Sequence, residues 1–148
     1  MLVRDVMKTH VRTVRKNTSY KEVVLLLIKH KISGIPVIEK TKKVVGIISE
    51  KDLLYQLFPS QEEFYKDIEH YMHHDVIEKE AVKVKKLKAK DFMSRDVISV
   101  KPDDHVLTAC ALLVINNIRR LPVIEKGKLV GIVTSNNLFK NFLRKYVK

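Results

Sequence analysis

The sequence predicts an α+β protein made of two copies of one strand-helix-strand-strand-helix unit, and two observations predict it. The first is an internal repeat. Ile35-Pro36-Val37-Ile38-Glu39-Lys40 runs through a polar turn into Val45-Gly46-Ile47-Ile48-Ser49-Glu50-Lys51-Asp52-Leu53. Leu121-Pro122-Val123-Ile124-Glu125-Lys126 runs through a turn one residue shorter into Val130-Gly131-Ile132-Val133-Thr134-Ser135-Asn136-Asn137-Leu138. The second observation is that the register persists upstream: Met7 matches Met93, Thr13 matches Ser99, Leu26 matches Leu112 and Pro36 matches Pro122, all at one offset. Two copies are too few for a solenoid and suit a pseudo-symmetric pair sharing one core.

Within the first copy, Val11 to Val14 alternates apolar and polar residues as a short strand does. Asn17, Thr18 and Ser19 offer helix caps, and Tyr20 to Lys31 follows as a helix. Its run Val23 to Ile28 is apolar all round, which predicts burial on more than one side. Ile35 to Ile38 and Val44 to Ile48 are β-branched strands joined by a short hairpin turn. Ser49 opens a helix running to Pro59. The second copy repeats the order: strand Val97 to Val100, helix Val106 to Asn117, strands Leu121 to Ile124 and Leu129 to Val133, and a closing helix from Ser135 or Asn136 to Tyr146. These boundaries divide the chain into a repeat over 1–58, an insert over 59–88 and a repeat over 89–148. Within the insert, Gln61 to Met72 reads as helix, and Val82-Lys83-Val84-Lys85 alternates like an exposed strand.

Composition narrows the function classes. The 148 residues carry 29 basic and 17 acidic side chains, a net charge of +12, which favours anionic partners or a lysine-rich solvated surface. No apolar run approaches the ~18 residues of a membrane span. No signal-peptide layout opens the chain, and the single cysteine cannot form an internal disulfide, so a cytoplasmic setting is expected. Glycine-rich phosphate loops, CxxC pairs and nucleophile elbows are absent, so no catalytic residue is expected.

The repeated pieces, Asp5-Val6-Met7, Gly34-Ile35-Pro36-Val37 and Gly46-Ile47-Ile48-Ser49-Glu50-Lys51-Asp52-Leu53, recur as Asp91-Phe92-Met93, Arg120-Leu121-Pro122-Val123 and Gly131-Ile132-Val133-Thr134. No piece is specific alone, but two ordered sets in register resemble a tandem pair of CBS domains, or Bateman module. The resemblance covers nearly all of the chain outside 59–88. It implies β-α-β-β-α repeats packed about a pseudo-two-fold axis, with small sheets inside and helices outside. It also implies clefts that bind adenosine-containing ligands, dimerisation, and regulation of a partner protein in place of catalysis.

Site residues follow from the resemblance, each beside a plainer explanation. In Ser49-x-x-Asp52 the family's aspartate accepts hydrogen bonds from ribose hydroxyls, and a carboxylate, acceptor-only, suits two adjacent donors. The same four residues also form a helix capping box. In the second copy, Thr134 and Asn137 stand there, and asparagine's mixed donor and acceptor suits ribose less well. Thr13 and Ser99 occupy the ligand-facing position of the first strand, or are simply β-prone. Ile35-Pro36 and Leu121-Pro122 would flank adenine, or simply start strands. Arg119 and Arg120 suit phosphate through forked donors, or are solvated surface. Together they predict one composite site, with ribose on Asp52, adenine beside Thr13 and Ile35, and phosphate at Arg119 or Arg120.

The expected ligand is AMP, ADP or ATP, with no required cofactor; the paired arginines favour phosphate over S-adenosylmethionine. A homodimer is expected from the two apolar helices, and an unidentified regulated protein from the resemblance. Two rival readings are nucleic-acid binding through the +12 charge and Lys83 to Lys90, against which stands the lack of any base-stacking aromatic platform, and a dimerisation scaffold with vestigial clefts. His70, His73 and His74 with Asp75 read as a solvated helix end rather than a metal site, although His70 and His74 would share one helix face. Cys110, between alanines on an apolar helix, reads as inert packing.

Overall fold

A computed structural model describes residues 1–58 and 61–148, and of His74, Ile77 and Glu80 the backbone only. In chain order the elements are α1 (Val3–Val6), α2 (Tyr20–His30), β1 (Gly34–Ile38), β2 (Val44–Ser49), α3 (Glu50–Tyr55), α4 (Gln61–Lys66), α5 (Ile68–Tyr71), α6 (His74–Val84), α7 (Ala89–Phe92), α8 (Val106–Ile115), β3 (Arg120–Glu125), β4 (Lys128–Thr134), α9 (Ser135–Asn141) and a closing 3₁₀ turn (Leu143–Tyr146). β1 pairs with β2 and β3 with β4, giving two two-stranded sheets. Among the described residues no helix is long and apolar enough to cross a membrane.

Compact units do not follow the repeats. Unit 1 comprises Met1–Arg12, Glu39–Val44 and Asp96–Lys148; unit 2 comprises Thr13–Ile38 and Val45–Arg95. The first arm therefore belongs with the second repeat: Lys8 and Ile132 exchange both backbone hydrogen bonds at 2.9 Å, and Val3 N–H donates to Asp104 O at 2.8 Å. The arm of the second repeat belongs with the first: Ser94 and Ile47 exchange both bonds, and Ala89 N–H donates to Thr18 O at 2.8 Å. The buried apolar residues form two clusters, one in each unit, where the repeat had suggested one shared core. One joins Val3, Val100, Val106, Leu113, Leu121, Val123 and Val133; the other joins Val14, Val23, Leu27, Ile35, Val37, Ile48 and Phe92. Each such side chain fully buried contributes about 1.5–3 kcal/mol.

Local chemistry sets the element ends. Ser19 Oγ accepts from Glu22 N–H to start α2, and Lys31, in the left-handed region at φ 52°, ends it. His105 Nδ1 accepts from Leu107 N–H at the start of α8. The β3–β4 hairpin turns on Lys126 and Gly127, both at positive φ, as a two-residue turn requires. The first hairpin is a residue longer and has Lys42 at φ 68°.

Several expectations are corrected. Val11 to Val14 and Val97 to Val100 are not strands; each contributes a single parallel bridge, Val14 to Val37 and Val100 to Val123. Val82 to Lys85 is not a strand: it finishes α6, with Val84 buried and Val82 exposed, whereas on a strand the two would share one face. The expected helix over 61–72 divides at Asp67, whose Oδ1 caps α5 through His70 N–H. The helix after Ser49 stops at Tyr55, before the expected Pro59, which lies outside the described residues. α8 ends at Ile115, and the closing helix gives way to 3₁₀ geometry after Asn141. Finally, α2 is buried on one side: Val23 and Leu27 are covered while Leu25 and Ile28 are 52% and 67% exposed.

Candidate functional site

Each unit presents the same constellation at one edge of its sheet. In unit 2, Val14 N–H donates to Pro36 O at 3.0 Å and Val14 O accepts from Ile38 N–H at 2.9 Å, which seats half-buried Thr13 beside the start of β1. Glu50 N–H donates to Ser33 O at 3.0 Å, bringing the α3 N-terminus to that end. In unit 1 the bonds recur: Val100 N–H to Pro122 O at 3.1 Å, Ile124 N–H to Val100 O at 2.9 Å, and Ser135 N–H to Arg119 O at 2.9 Å. Thus Thr13, Ile35, Ser49 and Asp52 share one edge, and Ser99, Arg119, Leu121, Thr134 and Asn137 share the other.

Both capping boxes are formed. Asp52 Oδ2 accepts from Ser49 N–H at 2.8 Å and from Ser49 Oγ–H at 3.1 Å, while Ser49 Oγ accepts from Asp52 N–H at 3.3 Å. All of the carboxylate's capping bonds fall on one oxygen, so Oδ1 remains as an acceptor. In the second copy Asn137 Oδ1 accepts from Thr134 N–H at 3.1 Å and from Thr134 Oγ1–H at 2.8 Å. That oxygen is asparagine's only side-chain acceptor, and what remains is the amide, a donor. The two edges therefore differ in the polarity of one atom. Asn137 is also the more enclosed, at 7% exposure, while Asp52 is half-buried.

The remaining candidates separate into surface and interior. Ile35, Pro36, Leu121 and Pro122 are fully buried, so their side chains belong to the cores. The carbonyls of Pro36 and Pro122 are taken up by Val14 and Val100. Ser99 and Arg119 are exposed, whereas Arg120, opposite Thr134 in the β3–β4 register, is only 8% exposed.

One structural role is not evident from the residue pattern. A Cβ on Gly46 would stand 2.5 Å from Met93 Sδ, and one on Gly131 would stand 2.8 Å from Met7 Sδ and 3.0 Å from Lys8 O. The methionine of each arm thus lies on the glycine of the strand it joins. The signal was present, since the methionine and the glycine each recur in both copies, but a repeat does not say which copy an arm pairs with.

Other candidates resolve individually. Among the described residues no group of three or more His, Cys, Asp or Glu is placed for a metal ion. His70 lies on α5 and the backbone of His74 on α6, so they do not share one helix; the His74 side chain is outside the described residues. Burial pushes the Cys110 thiol pKa up, opposing thiolate formation.

Comparison with known proteins agrees with this arrangement. The CBS domain family model matches residues 3–58 and 89–144. The chain belongs to the CBS-domain family. It is 38% identical to the uncharacterized protein MJ1426 of Methanocaldococcus jannaschii, over 95% of this chain and 90% of that protein. Other curated relatives are longer: the chain spans 41% of MJ1225 and 23% of inosine-5'-monophosphate dehydrogenase from the same organism. Among solved structures it resembles the CBS domain pair of MJ0100 in complex with 5'-methylthioadenosine and S-adenosyl-L-methionine, with 27% identity, 98% of both chains covered and TM-score 0.73. It also resembles CBSX2 of Arabidopsis thaliana in complex with AMP, with 26% identity, 98% of both chains covered and TM-score 0.75.

Proposed function

We propose that this CBS pair is a regulatory sensor that binds an adenosine-containing ligand without turning it over. The observation that carries this is the first-copy edge, where Asp52 caps α3 with Oδ2 and keeps Oδ1 outside the capping box. An ionised oxygen there suits the paired hydroxyls of a ribose. At the corresponding edge of unit 1, Arg119 and Arg120 carry the forked charge that suits a phosphate there, which favours AMP, ADP or ATP over S-adenosylmethionine. The AMP held by CBSX2 and the adenosyl ligands held by MJ0100 support the ligand class. Ligand binding would bias two arrangements of the protein, by no more than its differential affinity for them, and a partner protein would read the result.

A second copy is expected on α8. This helix carries no charged residue, and its Leu107, Val114 and Ile115 are 56%, 79% and 78% exposed. Apolar rows of that kind mark interfaces.

Calorimetry with AMP, ADP, ATP and S-adenosylmethionine tests the sensor reading. Saturable binding of at least one nucleotide, with no product after prolonged incubation, is the expected result. Absence of binding by all four, or nucleotide consumption lost on mutating an edge residue, would overturn it.

A further inference from the structure

Two stretches of unit 2 run side by side and gather basic side chains at one end of it. Lys90 N–H donates to Lys16 O at 3.0 Å, Ala89 N–H to Thr18 O at 2.8 Å, and Tyr20 N–H to Leu87 O at 3.0 Å. Burial sorts the residues of the second stretch. Val84 and Ala89 are buried and Leu87 is half-buried, while Lys85, Lys86, Lys88 and Lys90 are exposed. Arg15 and Lys16 are exposed on the first stretch, in a turn closed by Thr18 N–H to Arg15 O at 3.1 Å and Arg15 N–H to Thr18 Oγ1 at 2.9 Å. Val14 lies parallel to Val37, so Arg15 lies toward the Ile38 end of β1, whereas the α3 N-terminus is bound to Ser33 at the other end.

The surroundings of these cations select among anionic partners. Among the described residues none of Arg15, Lys85, Lys86, Lys88 and Lys90 forms an ion pair. The acids beside them are Glu22 and Asp91, and Asp91 Oδ2 is held by Lys88 N–H at 2.8 Å. Like charges held this close repel one another, and a polyanion relieves that repulsion. No large apolar side chain is exposed over 15–19 or 85–90, so a lipid surface would find nothing to bury. All of the cations but Arg15 are lysines, which protein–protein interfaces deplete. Thr18 Oγ1 and Ser19 Oγ each accept from a backbone N–H, which leaves their hydroxyl protons to donate, as contacts to phosphate oxygens do. No exposed aromatic ring stands in either stretch, so a single strand would gain no stacking.

We infer that this face binds the sugar-phosphate backbone of duplex DNA without reading its bases. The lysines serve as point charges along the phosphates. The lack of a stacking platform counts against single strands and not against a duplex held by its backbone. The face lies at the other end of β1 from Asp52, so the sensor can hold a nucleotide and DNA together.

Fluorescence anisotropy of the full chain with a short labelled DNA duplex tests this. With all six cations on phosphates, affinity should fall about 10³-fold between about 50 and 200 mM salt. The double variant Lys86→Gln/Lys88→Gln should reduce the slope of log affinity against log salt by about 2. It should leave AMP affinity and urea unfolding unchanged, because the Lys88 contact to Asp91 uses backbone N–H. A duplex of unrelated sequence should bind equally. The single strand, poly-glutamate and phosphatidylserine vesicles should bind more weakly. No binding at low salt, tighter binding of any of those three, a strong preference between duplexes, or an unchanged slope in the variant would overturn the inference. So would an equal loss from Lys140→Gln/Lys145→Gln, which would show that net charge alone suffices. Because AMP is titrated in parallel, failure of the nucleotide reading and failure of this one are told apart.

Discussion

Asp52→Asn separates the two roles that meet in one side chain. Asparagine can present its oxygen to Ser49 N–H and Oγ–H just as Asn137 does to Thr134, so the capping box survives. Only the negative charge near the helix N-terminus is lost, at a cost of about 0.3–1 kcal/mol. The atom left over changes from a carboxylate oxygen to an amide donor, which cannot accept from ribose hydroxyls. A hydrogen bond to a charged group is worth about 1.5–3 kcal/mol, and ~1.4 kcal/mol is tenfold in affinity. AMP binding should therefore fall by roughly ten- to a hundredfold, while urea unfolding shows a change below about 1 kcal/mol. Asp52→Ala should lose affinity equally and destabilise further, since the reciprocal cap goes too. Asn137→Asp runs the comparison in reverse and should create or strengthen a second site. Calorimetry and urea titration on the same preparations measure both quantities. An Asp52→Asn protein that binds AMP as the wild type does would show that Asp52 is a helix cap and nothing more.

Three further outcomes follow from the geometry. Gly46→Ala and Gly131→Ala should each lower stability by about 1–3 kcal/mol, as overpacking does. The loss should be larger at Gly131, where the rigid Lys8 carbonyl adds to the methionine contact; equal, negligible losses in thermal melts would contradict the packing. Ile115→Asp should convert a dimer to a 17.2 kDa monomer in sedimentation while leaving AMP affinity intact, and an unchanged sedimentation coefficient would remove α8 from the interface. The third concerns Tyr20, whose hydroxyl donates to Leu53 O at 2.6 Å and whose pKa burial raises above 10.0. A raised folded pKa means that this group's contribution is intact below its unfolded pKa and is lost as pH rises through the folded value. Tyr20→Phe should accordingly flatten the fall in melting temperature above pH 10, and an identical alkaline profile would show that the phenol is not the group responsible.

What was legible in the sequence depended on how locally each feature is determined. The sheets, α2 and α8 were readable because β-branched runs and apolar helices between caps declare themselves within a dozen residues. The capping boxes were readable for the same reason, since four residues suffice to form one. Val82 to Lys85 misled because a four-residue alternation fits either period; in the fold Val84 is buried while Val82 is exposed, and both lie on α6. The strand expectation at Val11 to Val14 failed for a different reason: a single parallel bridge satisfies one residue, and nothing in β-propensity limits how far pairing extends. Arg120 was readable as a charge but not as a buried one, because its position opposite Thr134 depends on the hairpin register.

The arms show most plainly where a repeat stops being informative. Asp5 and Asp91 both accept the backbone N–H three residues earlier, from Leu2 and Lys88, at 2.8 Å, so each arm folds its own short helix by local rules alone. Met7 and Met93 then lie on glycines whose other strand neighbours carry side chains. In sequence these contacts look equivalent whether an arm pairs with its own repeat or with the other. Space decides between them, and it joins each arm to the other copy, through Lys8 with Ile132 and Ser94 with Ile47. Each compact unit is therefore made of parts of both repeats. Neither half, as the sequence divides them, contains all the residues that cover its own core. For a half of about 60 residues, already marginal on burial alone, that exchange makes the pair the smallest folding unit. It also explains why the Asp-x-Met signature and the glycine in the second strand hold register across the copies: each is one side of a contact made in the opposite copy.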